Sequence, residues 1–138
     1  MSAMFKKMLF SLLFLLPSIL FAQDSNQELI VQKSNKSIFE SKLECDAKFS
    51  TGSFQNCWLE LLHDQQIIKD AEIFIEGGMP AHAHGLPTAP KAIWSDVKNA
   101  YEIKGLKFSM PGEWQLSFGV KLESRKLRDQ LLMKIEVD

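Results

Sequence analysis

The sequence predicts an all-β domain, a two-sheet sandwich of about seven strands preceded by a signal peptide. Three observations predict it. Apolar and polar residues alternate with period two in one run after another. Turn-forming residues interrupt these runs at intervals of about ten residues. Past residue 22, no segment sustains the 3.6-residue apolar period of an amphipathic helix.

The N-terminus is set apart from the rest. Lys6 and Lys7 form a short positive region, and Met8 to Ala22 (MLFSLLFLLPSILFA) then runs without a charge. A membrane-spanning helix needs about 20 apolar residues, and Pro17 disfavours a straight one. The pattern fits a signal peptide over residues 1–22, cleaved before Gln23-Asp24-Ser25, although Leu20 is larger than the residue such a site prefers. No cysteine follows the apolar run, so no lipid attachment site is read. The alternative is an uncleaved anchor facing the periplasm. Either reading places the remainder outside the cytoplasm, as a periplasmic or otherwise exported domain. Loss of Lys6 and Lys7 changes the formal charge from −1 to −3. A chain so close to neutral offers no basic face for nucleic acid.

Residues 23–36 are polar and read as a linker or a loosely attached first strand; residues 37–138 form the domain. Phe39, Ser41, Leu43 and Cys45 share one side of an alternating run, and Cys57, Leu59 and Leu61 share one side of the next. His63-Asp64-Gln65-Gln66 reads as a turn, with His63 solvated. Ala71, Ile73 and Ile75 alternate with Asp70, Glu72 and Glu76, and Phe74 interrupts the polar side. Tyr101, Ile103 and Leu106–Phe108 form a run around Gly105. Trp114, Leu116, Phe118, Val120 and Leu122 give the clearest strand. After a charged connection at Ser124–Asp129, Leu131, Met133, Ile135 and Val137 give the last.

Cys45 and Cys57 are the two cysteines. In an exported chain they are expected to form a disulfide across DAKFSTGSFQN, adding roughly 2–3 kcal/mol. The alternative is a thiolate pair for a metal, at a spacing unfamiliar for such sites. No catalytic constellation is read: no serine sits in G-x-S-x-G, no nucleophile is paired with a base, and the acids fall on wet faces. The chain is not expected to be an enzyme, and no small-molecule substrate is identified. Trp58, Trp94 and Trp114 line a groove or belong to the core.

The pointed chemistry lies in Met79-Pro80-Ala81-His82-Ala83-His84-Gly85. In an extended segment, residues two apart face the same way, so His82 and His84 are placed to share one ion. Met79 precedes them, and Met110 stands before a second Pro-Gly turn. Two imidazoles and two thioethers suit a soft ion; thioethers favour Cu(I), and imidazole accepts copper or zinc. Pro80 and the flanking glycines give a tight loop. The other reading is a plain connection, with the histidines bonded to backbone carbonyls and the methionines filling the sandwich edge. Met110, between Phe108 and Trp114, suits the core.

Gly77-Gly78-Met79-Pro80, His82-Ala83-His84-Gly85-Leu86-Pro87-Thr88 and Pro90, followed by Tyr101-Glu102-Ile103-Lys104-Gly105-Leu106-Lys107-Phe108-Ser109-Met110-Pro111-Gly112-Glu113-Trp114, resemble the YtkA-like family of small exported bacterial domains. The likeness covers roughly residues 60–122. It implies an immunoglobulin-like sandwich similar to copper-handling periplasmic β-sandwich proteins. It also implies a copper ion with ligands at His82 and His84, then Met79. The Cys45–Cys57 pair departs from the family pattern. Two functions follow as expectations. The first is an exported module that binds or delivers copper through the Met-Pro-x-His-x-His-Gly loop. The second is a non-metal structural or interaction module docking an envelope or membrane protein.

Overall fold

The computed structural model describes residues 26–138, so the signal peptide read from residues 1–22 lies outside the described residues. Ten strands follow in order: β1 (Glu28–Lys33), β2 (Glu40–Cys45), β3 (Cys57–His63), β4 (Gln66–Ile67), β5 (Glu72–Met79), β6 (His84–Gly85), β7 (Lys91–Ser95), β8 (Ala100–Lys104), β9 (Gly112–Leu122) and β10 (Leu127–Val137). The pairings between them are antiparallel. The order β1-β2-β3-β8-β7 makes one wall and β5-β9-β10 the other, joined where Phe74 of β5 pairs with Lys91 of β7. The domain is thus a sandwich with a barrel-like seam on that side.

The count of ten corrects the expected seven. The polar stretch ahead of Phe39 holds β1, which pairs with β2 along its whole length. β4 and β6 have two residues each, too few to show a period. β7 gives little signal because its faces contrast weakly: Ile93 is exposed and Trp94 only half-buried.

The alternating runs supply the core. Trp114, Leu116, Phe118, Val120 and Leu122 are all buried, as are Leu131, Met133, Ile135 and Val137 on the neighbouring strand. Phe39, Leu43, Leu59 and Leu61 join the same cluster from the other wall. Ser41 is buried among these apolar groups, and its hydroxyl donates to the Gln32 carbonyl at 3.1 Å. Of the three tryptophans, Trp114 belongs to the core, whereas Trp58 and Trp94 are half-buried. Trp94 packs edge-on against Tyr101 at 5.1 Å and donates to Asp96 Oδ1 at 2.8 Å. The Tyr101 hydroxyl accepts the Ala71 N–H at 3.0 Å, and burial pushes this phenol above its ordinary pKa.

Cys45 and Cys57 are register partners in β2 and β3, with Cα atoms 4.1 Å apart, and they form the disulfide. Both sulfurs are thereby committed, so the thiolate-pair alternative falls.

One carboxylate ties the walls together at the second seam. Asp129 of β10 accepts the backbone N–H groups of Lys36 (2.8 Å) and Ile38 (3.4 Å), while Asn35 N donates to the Gln130 carbonyl at 2.9 Å. Asp129 therefore sits in a strand, not in the connection expected at Ser124–Asp129. That connection is residues 123–126, with Lys126 left-handed at φ 55°.

A candidate metal-binding hairpin

The site is built from the end of β5 upward. Glu72, Phe74 and Glu76 point outward along that strand, and Gly77 and Gly78 follow. Both glycines permit close approach. A Cβ at Gly78 would meet the His84 carbonyl oxygen at 3.0 Å, and one at Gly77 would meet Leu116 and Leu86 side-chain atoms at 3.0 Å. The chain can therefore fold back on itself, with Gly78 opposite Gly85 and Met79 opposite His84.

The reversal takes residues 80–83. His82 N donates to the Met79 carbonyl at 3.1 Å, which closes a turn with Pro80 in its second position. Proline is favoured there because its fixed φ is the one the turn needs. Ala83 then adopts the left-handed region, φ 51°, and returns the chain to pair as β6. His82 lies in a turn and Ala83 is left-handed, so the segment is not extended as expected. The histidines still converge: their ring centroids are 6.3 Å apart, with planes inclined by 34°.

Directly paired residues in a ladder share a face, so Met79 and His84 project on the same side. Their surroundings differ. Met79 is buried, and its terminal methyl would stand 3.2 Å from a Cβ placed on Gly112. His84 and His82 are exposed. The hairpin thus offers two accessible imidazoles with a thioether behind them, at the end of the core.

Met110 is placed differently. It lies in the turn before Gly112, half-buried, with its side chain packed against the core. Its carbonyl accepts the Trp114 indole N–H at 3.0 Å. The structure therefore brings Met79, His82 and His84 onto one hairpin and gives Met110 a packing role beside it. Among the described residues, no group of three or more His, Cys, Asp or Glu side chains gathers anywhere.

His63 corrects its expectation. It ends β3 half-buried, with its ring 5.8 Å from that of Phe39. Its Nδ1 lies 2.8 Å from the Ile38 carbonyl. A carbonyl only accepts, so Nδ1 carries the proton. This histidine joins the β1–β2 connection to β3 and takes no part in the hairpin site.

Ala83 is the residue that sequence reasoning passed over. Alanine gives no composition signal for a left-handed position, where glycine or asparagine is usual. The available sign was spacing: Pro80 just after Met79, and only residues 80–83 between the paired Met79 and His84.

The fold and the hairpin define a small, disulfide-stapled β-sandwich domain with a loop of soft and borderline metal donors. The chain matches the YtkA-like family over residues 33–119, from the last residue of β1 into β9, and belongs to that family. No curated protein and no solved structure matches it.

Proposed function

We propose that this domain is an exported metal-binding module, immunoglobulin-like in fold, that carries copper on His82 and His84 with the Met79 thioether as a further donor. It binds its ion and catalyses nothing. The observation that carries this reading is the 6.3 Å separation of two exposed imidazoles on one hairpin. A metal–nitrogen bond is about 2 Å, so two imidazoles sharing an ion have ring centres roughly 5 to 6.5 Å apart. The pair falls within that range without any backbone movement. Imidazole and thioether together suit copper better than harder ions. The residues 1–22 pattern supports an exported location, where a disulfide persists.

The test is a titration of the chain from residue 23 onward, which retains every described strand. Cu(I) is added against a competing chelator, for the parent and for a His82→Ala, His84→Ala double variant. Saturable one-to-one binding in the parent, lost in a variant with an unchanged melting curve, is the expected result. Equal binding by the two proteins would remove the hairpin from the account.

A further inference from the structure

β1 is the end strand of its wall, and among the described residues it pairs with β2 alone. The ladder fixes which of its backbone groups that pairing uses. Ser34 N donates to the Phe39 carbonyl at 2.9 Å, so this pair is hydrogen-bonded. Such bonds alternate residue by residue along an antiparallel ladder. Gln32, Ile30 and Glu28 therefore bond to β2, while the N–H and C=O groups of Leu29, Val31 and Lys33 face away from it. On the other edge of β2, the bond from Asp46 N to the Asn56 carbonyl agrees with this phase. The Lys33 carbonyl accepts from Gln32 Nε2 at 3.1 Å, and just beyond it Asn35 turns to β10. The open edge is thus formed by Leu29 and Val31.

The side chains of these two residues lie on the outer face, 57% and 73% exposed. Sheets usually guard an end strand with charge, proline or a covering segment; here two apolar residues stand at the open edge. Their direct neighbours on β2 are Glu44 and Lys42, joined to one another at 3.1 Å.

We propose that β1 pairs antiparallel with β1 of a second copy of this chain, giving a two-fold dimer with one continuous sheet. The occupant follows from self-complementarity. Leu29 of one copy bonds with Val31 of the other, and Val31 with Leu29, so both open residues of both copies are satisfied. Ile30 meets Ile30 of the second copy at the axis. Each row of the outer face then reads Glu44, Leu29, Val31, Lys42, the last two from the second copy. The apolar side chains cover one another, and each row ends in opposite charges. By symmetry every contact occurs twice. Two short edge strands make a small interface, so the dissociation constant belongs in the micromolar range. The inference is independent of the hairpin, which lies on the other wall.

The experiment uses the chain from residue 23 with a metal chelator present, so that no ion bridges two hairpins. Sedimentation measures the dimer for the parent, for Val31→Pro and for Val31→Lys. Amide exchange is followed at low and high protein concentration. The parent is expected to dimerise, with the Leu29 and Val31 amides slowing as concentration rises. The Ile30 amide, bonded to β2, should be protected throughout. Val31→Pro removes an N–H that the β2 ladder does not use and should be monomeric. Val31→Lys keeps the backbone and should weaken the dimer at least about ten-fold, because two cross-strand apolar pairs are lost. A parent that stays monomeric up to about 1 mM overturns the proposal and leaves the edge to a different partner. A dimer that survives Val31→Pro, or that leaves the Leu29 and Val31 amides fast, overturns it as well.

Discussion

Removing the disulfide by a Cys45→Ala, Cys57→Ala double substitution tests the packing account quantitatively. The bridge joins positions separated by 12 in sequence and already opposed in the β2–β3 ladder. Its main effect is thus to restrict the unfolded chain. The loop-entropy relation gives about 2.8 kcal/mol for a loop of that size at 25 °C. Both cysteines are buried, so loss of the sulfur packing adds a little, for a total of about 3 kcal/mol. For a domain of this size, about 4 °C accompanies each kcal/mol, giving a drop in Tm of roughly 12 °C. Urea unfolding followed by tryptophan fluorescence measures the change, since Trp114 is buried in the core. The variant and the parent under reductant should shift together, and the oxidised parent should show no titratable thiol. A loss below about 1 kcal/mol would refute the reasoning, because the loop would then be as restricted in the unfolded chain without the bridge.

Three further outcomes are expected. Asp129→Asn should destabilise the domain by about 1 to 2 kcal/mol, as charge-assisted bonds to the Lys36 and Ile38 N–H groups weaken. Burial raises the Asp129 pKa, but the hydrogen bonds from Ser34, Gln130, Lys36 and Ile38 outweigh it and hold the carboxyl below its usual range. Its contribution is therefore full above the unfolded value of about 3.9 and disappears as pH falls through the lower folded value. Unfolding midpoints of parent and variant measured from about pH 7 down to about pH 2 should converge only at the acid end. Gly78→Ala should cost about 1 to 3 kcal/mol, since its Cβ meets backbone at His84; it should also weaken metal binding, read by the same chelator competition. Phe118→Ala should cost about 3 to 5 kcal/mol in urea unfolding, because its side chain is fully buried.

The strands that build the core were legible because each has one buried and one wet face. Trp114 to Leu122 alternates in sequence and in burial alike, and Leu131 to Val137 does so apart from Leu132, an apolar residue on the outward face. β7 was not legible, since its outward Ile93 is apolar and its inward Trp94 is only half-covered. The role of Asp129 was hidden for another reason: its partners, Lys36 and Ile38, lie 93 and 91 residues away and offer only backbone N–H groups, which no residue pattern reveals. The same holds for His63, whose partner is the Ile38 carbonyl.

At the hairpin, the donor residues were legible and their geometry was not. His82 and His84 stand out as a pair, and Met79 stands beside them in sequence. An extended segment would also have placed the imidazoles on one side, so convergence was anticipated from the wrong backbone. The turn depends on Pro80 and on left-handed Ala83, and alanine does not advertise that conformation. Met110 shows the converse: a donor by type, it is half-buried and packs against the core cluster to which Phe108 and Trp114 belong.

X-ray absorption at the copper edge of the Cu(I)-loaded chain tests the central claim most directly. The account predicts imidazole multiple scattering from two histidines at about 2 Å, with sulfur as the only further protein neighbour, and loss of the imidazole signal in the His82→Ala, His84→Ala variant. A copper environment without imidazole scattering, or one unchanged in that variant, would contradict it.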